Sequence, residues 1–151
     1  MTPLAAVVGA LVAWLAIGAA GVVRPRDVAV VRVLFPLGAG VAIVLAWAAL
    51  AALGKPAEIA VLPLGLPGLP FHLRLDALSA FFLVLLGSAS AAISLFSSGY
   101  FRSEQGAAPG RIGLEYHVFL AAMGFVLIAN DAYLFMIAWE TMAVASYFLV
   151  T

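Results

Sequence analysis

Residues 132–151 read AYLFMIAWETMAVASYFLVT, and Glu140 is the only carboxylate among these twenty. In a helix rising 1.5 Å per residue, about twenty apolar residues span the ~30 Å hydrocarbon core of a bilayer. The run therefore reads as a membrane-crossing helix with one ionisable group in its middle. A charge at the bilayer centre costs about 2.5–3.5 kcal/mol on insertion scales. Glu140 thus needs a partner, a bound proton or a task that offsets the cost.

The rest of the 151-residue chain has the same character. It is 66% hydrophobic and 9% charged, with mean hydropathy +1.20. Soluble domains carry about 25% charged residues. This chain cannot clothe a water-facing surface and reads as an integral membrane protein. Seven basic and seven acidic residues cancel, which leaves no basic patch for nucleic acid. The absence of cysteine excludes disulfides, iron–sulfur ligation and Cys-based zinc sites.

Four further segments share this pattern. The first apolar run, residues 4–23, lacks a preceding basic region and is too long for a signal-peptide core. Arg24, Pro25, Arg26 and Asp27 end it. A second run covers about 28–53, with Arg32 placed to snorkel and Pro36 inside; Gly54, Lys55 and Pro56 stop it. Residues 54–75 carry Pro56, Pro63, Pro67 and Pro70, a density that forbids a helix. They read as a short hairpin on the membrane surface or as an irregular apolar loop. Asp76 is a good N-cap for a third helix over about 77–100, rich in small residues at 87–92 that permit close helix approach. After the polar stretch SEQGAAPGR (103–111), a fourth helix is expected over about 114–129 and a fifth from 132. The Asn130-Asp131 break makes these two an antiparallel pair. The fold expected is all-α: a polytopic transmembrane bundle of about five helices in one membrane domain. A Pro-rich extracytoplasmic loop or hairpin joins the second helix to the third.

Arg24, Arg26 and Arg32 flank the first connection, Lys55 and Arg74 the second, Arg102 and Arg111 the third. The positive-inside rule puts the first and third in the cytoplasm and the N-terminus outside.

Glu140 carries the chemistry. It lies nine residues past Asp131, about 13 Å along a helix and so near the midplane. Burial raises a carboxyl pKa and a nearby cation lowers it; a group between those pulls suits a proton relay. Positions three and four away on its helix are Met136, Ile137, Ala143 and Val144, and none can pair with it. Its partner is expected outside these residues, unless Glu140 is neutral and packed against a neighbouring helix. His117 is a second relay candidate, near the start of the fourth helix. Asp131 and Asp76 are expected to cap helices and Arg74 to pair with Asp76. His72 is expected to be structural, Ser88, Ser90 and Ser94 to pack, and the three Trp residues to be ordinary membrane aromatics. Phosphate loops and catalytic triads are absent from the sequence. No cofactor and no metal are expected.

FHLRLDALSAFFLVLLGSASAAISLFSSGYF (71–101) and VFLAAMGFVLIANDAYLFMIAWETMAVASYFLV (118–150) resemble the proton-conducting, antiporter-like membrane subunits. These occur in complex I (NADH–quinone oxidoreductase, chain 5-like), membrane-bound hydrogenases and multisubunit cation/proton antiporters. Trp139-Glu140 is the most specific element. PLGLPGLPFHLRLDALSAFF (63–82) is most similar to the large membrane subunit of formate hydrogenlyase or hydrogenase-4 type complexes. Residues 1–55 match in hydropathy alone. The resemblance implies that Glu140 pairs with a Lys on a later helix and that redox energy released elsewhere in the complex alters the pairing. It implies partners in the other membrane subunits of such an assembly, in a cell membrane of bacterial inner-membrane type. The chain would then be an N-terminal fragment of an oxidoreductase subunit, without a redox centre of its own. A subunit of a cation/proton antiporter, and a structural membrane module without a proton path, are the alternatives.

Overall fold

The computed structural model describes residues 2–23, 27–101 and 108–151, with backbone alone for 28–31. The helices are α1 (Pro3–Val23), α2 (Val28–Ala52), α3 (Ala77–Tyr100), α4 (Pro109–Ile128) and α5 (Ala132–Val150), with strands β1 (Glu58–Leu66) and β2 (Leu69–Leu75) between α2 and α3. All five helices are long and apolar enough to cross a membrane. The molecule is a predominantly helical multi-pass membrane bundle with a small two-stranded sheet. The expected stop at Arg24–Arg26, and Arg102 with the polar stretch 103–107, lie outside the described residues.

One boundary differs from expectation. The fourth helix starts at Pro109, five residues ahead of the expected 114. Proline suits the first helical position because its fixed φ is helical and its missing N–H would have no intrahelical partner there. The shift brings Arg111 inside the helix and moves Glu115 from its first turn to its second.

Apolar residues on one face of each helix meet in the centre. α1 packs between α2 and α4, α3 lies on α2, and α5 lies on α4. Leu11, Trp14, Leu45, Leu83 and Ile128 are fully buried there. Between α2 and α3 the backbones approach closely: a Cβ at Gly87 would fall 2.7 Å from the Ala42 carbonyl oxygen. Only glycine fits that crossing. Ser90, one turn on, is buried and donates to the Leu86 carbonyl at 2.7 Å. Ser94 is buried too, whereas Ser88 faces outward, so two of the three serines pack inside. Trp14 departs from an ordinary lipid-facing aromatic: it is buried and its Nε1–H donates to the Gly38 carbonyl at 3.1 Å.

The proline-rich segment forms the hairpin. Its strands pair antiparallel from Glu58↔Leu75 to Leu66↔Leu69, with a register irregularity between Leu62 and Gly65. Each strand is an edge, where proline's missing N–H is tolerated. Gly68 takes a positive φ of 83° at the turn, a conformation that suits glycine. The hairpin does more than rest on the surface. Leu73 and Leu75 are buried in the bundle core, and the Glu58 carboxylate accepts the Leu4 N–H at 2.9 Å, satisfying an open donor at the start of α1. The start of α1, the hairpin, the start of α3 and the α4–α5 junction therefore share one end of the bundle.

Gly87→Ala is expected to cost about 1–3 kcal/mol through overpacking. Gly99→Ala, on the same helix with open space around it, is expected to be neutral or stabilising by up to about 1 kcal/mol. Thermal unfolding of the detergent-solubilised protein compares the two.

Candidate functional site

The position of α5 is set at its first residue. Asp131 Oδ1 accepts the Leu134 N–H at 2.7 Å, which makes Asp131 the N-cap. Its Oδ2 accepts the His72 N–H at 2.7 Å. The Asn130 N–H donates to the His72 carbonyl at 2.8 Å, and Leu73 bridges to Ala129 in antiparallel fashion. The turn between α4 and α5 is thus stitched to β2 as a fragment of a third strand. Asp76 caps α3 in the same way through the Ser79 N–H at 2.9 Å, and Arg74 lies 3.4 Å from it.

From that fixed start, α5 carries Glu140 about 13 Å along its axis. α5 packs on α4 and touches β2; only 17% of its span is buried, against 33–39% for the other helices. Glu140 lies on the uncovered side. It lines a cleft of about 350 Å³ with Leu114, Glu115 and Val118 of α4 and Val144 and Phe148 of α5. No charged partner of Glu140 is found among the described residues. Thr141, beside it, donates to the Ile137 carbonyl at 2.8 Å.

Glu115 was not singled out by sequence reasoning. It accepts from Arg111 Nε at 2.8 Å, and the Arg111 guanidinium carbon lies 6.0 Å from the Phe148 ring centre. The signal was present in the chain: a carboxylate within a predicted apolar run, four residues after an arginine.

His117 lies on another face of α4. It is fully buried, packed where α1, α2 and α4 cross. Its Nδ1 lies 2.6 Å from the Gly113 carbonyl, so Nδ1 is the donor. Its Nε2 has no hydrogen-bond partner among the described residues and points at Gly38, where a Cβ would collide with it. Phe35 packs 5.9 Å from its ring. Next to it, Tyr116 turns toward α3, its hydroxyl 3.0 Å from Ser94 Oγ. The structure brings Glu140 to Glu115 and leaves His117 outside the cleft. Among the described residues no three of His, Asp and Glu converge as a metal site would require.

Fold and site together define a multi-pass membrane protein with an acidic cleft between two of its helices. Comparison with known proteins makes this more specific. The family described as NADH-Ubiquinone oxidoreductase (complex I), chain 5 N-terminus, matches residues 62–108, from the hairpin through α3. Hydrogenase-4 component B of Escherichia coli (strain K12) is 33% identical over 78 residues, 52% of this chain and 12% of that protein. An uncharacterized protein of Mycobacterium tuberculosis, present in strains CDC 1551 / Oshkosh and ATCC 25618 / H37Rv, is 39% identical over 80 residues, again 52% of this chain and 12% of the relative. The chain therefore matches about an eighth of the length of these relatives. The matches support the family of proton-antiporter-like membrane subunits. They indicate the N-terminal region of a complex I- or hydrogenase-type membrane subunit. The family match ends at residue 108, ahead of the helices that bear the cleft.

The caps and the helix crossing each lead to a measurable expectation. The Leu134 N–H, above all, together with the His72 N–H and ring, holds the Asp131 carboxyl below the usual value against the opposing pull of burial. The Ser79 N–H and Arg74 do the same for Asp76. A depressed folded pKa contributes stability above the unfolded value of about 3.9, and that contribution is lost as pH falls. Stability is expected to fall as pH drops below about 4, with a shallower drop in Asp131→Asn, as followed by circular dichroism in detergent. Separately, Gly38→Ala is expected to destabilise by about 1–3 kcal/mol and to recover when His117→Ala removes the ring it strikes. Unfolding of the two single variants and the double variant measures that coupling.

Proposed function

We propose that this chain is the N-terminal part of a proton-translocating membrane subunit of a redox-driven complex, of the membrane-bound hydrogenase or NADH–quinone oxidoreductase type. Glu140 is its intramembrane proton-relay carboxylate. One observation carries the reading: Glu140 stands on the uncovered side of α5, in a cleft walled mostly by apolar residues, without a cation to pair with among the described residues. A carboxylate in such a place is costly and marks a pathway far more often than a packing site.

The protein's own geometry supports the relay. The hairpin and the Asp131 cap hold α5 in register, so the carboxyl sits at a set depth. The open side of α5 leaves room for a further helix. A cation brought there, a Lys as the resemblance implies, favours the carboxylate; its withdrawal favours the protonated acid. Moving that cation would load and release one proton per cycle. Redox chemistry resides in other subunits of the assembly. The cytoplasmic placement of the α4 N-terminal end, and the extracytoplasmic placement of the hairpin and N-terminus, follow from the basic residues and complete the proposal for a bacterial inner membrane. The name of the Escherichia coli relative, a hydrogenase component, favours the redox complex over a cation/proton antiporter. We assign His117 to packing at the α1–α2–α4 crossing, since it stands on a different face of α4 from the cleft.

In the full-length assembly, Glu140→Gln is expected to lower proton translocation in membrane vesicles at least about tenfold, one pKa-controlled step being lost, while subunit assembly is retained. Glu140→Asp should keep part of the flux. Normal translocation by the Gln variant would refute the relay.

A further inference from the structure

The Arg111–Glu115 pair has no evident purpose as a helix stabiliser. Arg111 lies in the first turn of α4, where the positive end of the helix dipole disfavours a cation. The order Arg-then-Glu is also the weaker one for an i, i+4 pair. Exposed pairs of this kind contribute little in any case.

The placement of the two side chains suggests a different role. Glu115 is only 12% exposed while Arg111 is 64% exposed. The pair thus has one end in the cleft and one at its rim. Arg111 reaches two walls of that cleft at once, Glu115 on α4 and the Phe148 ring on α5. Glu115 and Glu140 line the same cavity from facing helices. Glu115 lies well before the end of α4 (Ile128) and Glu140 follows the start of the antiparallel α5 (Ala132), so their levels differ by about five residues, or about 7.5 Å at 1.5 Å per residue. Side chains and a few waters can span that distance. The cleft, about 350 Å³, has room for several at roughly 30 Å³ each.

We propose that Glu115, held by Arg111, is a second proton-carrying group of the cleft, standing between the membrane surface at the start of α4 and Glu140. The proposal rests on the relay reading of Glu140. In the resting state the Glu115 carboxylate pairs with Arg111. A proton from surface water adds to Glu115, and Arg111 disengages toward solvent and the Phe148 ring. The neutral acid passes its proton through water to the Glu140 carboxylate. Glu115 is again an anion and pairs once more with Arg111. One proton has moved inward, and nothing else is consumed.

The test uses the full-length complex in membrane vesicles, with subunit content measured for each variant. Glu115→Gln is expected to cut proton translocation about tenfold at unchanged subunit content, and Glu115→Asp to restore most of it. Dicyclohexylcarbodiimide, which modifies protonated carboxyls in apolar surroundings, should label Glu115 in the unmutated protein. Arg111→Gln should raise that labelling several-fold, both being read by peptide mass spectrometry. If Glu115→Gln assembles and translocates normally, or if Glu115 escapes labelling, the proposal is overturned while the Glu140 reading stands. If Glu115→Gln fails to assemble, labelling of the unmutated protein decides alone. If Glu140→Gln translocates normally, the relay reading falls and takes this step with it.

Discussion

The Asp131 carboxylate accepts the Leu134 N–H with one oxygen and the His72 N–H with the other. The first bond starts α5; the second anchors β2 to the α4–α5 turn. A chain reversing within a few residues at a membrane boundary has backbone donors to satisfy, and water is scarce just inside. By meeting two of them with one side chain, Asp131 fixes where α5 begins. Every residue on that helix, Glu140 included, takes its depth from that point.

The hairpin is the other half of the arrangement. Glu58 caps α1, Asp76 caps α3, and Leu73 and Leu75 enter the core. A two-stranded hairpin is marginal in isolation. Here it is stable because its neighbours' unsatisfied donors and its own apolar side chains are resolved together. The opposite end of the bundle carries the Arg111–Glu115 pair and the mouth of the cleft. One end thus holds the helices in register, while the other leaves polar groups free to change partners.

The helical membrane class, five crossing segments and the isolated carboxylate were legible in the sequence, because apolar run length and the rarity of buried charge are local properties. The caps at Asp76 and Asp131 were legible for the same reason: each lies just ahead of an apolar run. Glu115 was missed because its meaning depends on which helix faces it. His117 read as a relay candidate from residue type alone. Its position against Gly18 and Gly38, on another face of α4 from the cleft, comes from how three helices cross. Trp14 read as an ordinary aromatic for want of its acceptor, the Gly38 carbonyl, which lies on a different helix.

By itself, then, the amino-acid sequence determined that this chain lives in a bilayer, where most of its helices start, and that Glu140 carries an unusual cost. Those follow from the solvent's demand on each segment alone. The tertiary structure decided that the proline-rich segment pairs as a hairpin tied to two helix starts. It also decided that Glu140 shares a cleft with Glu115, and that His117 is sealed away from it. These depend on contacts between residues distant in the chain, and hydropathy and spacing do not encode which helix faces lie against one another.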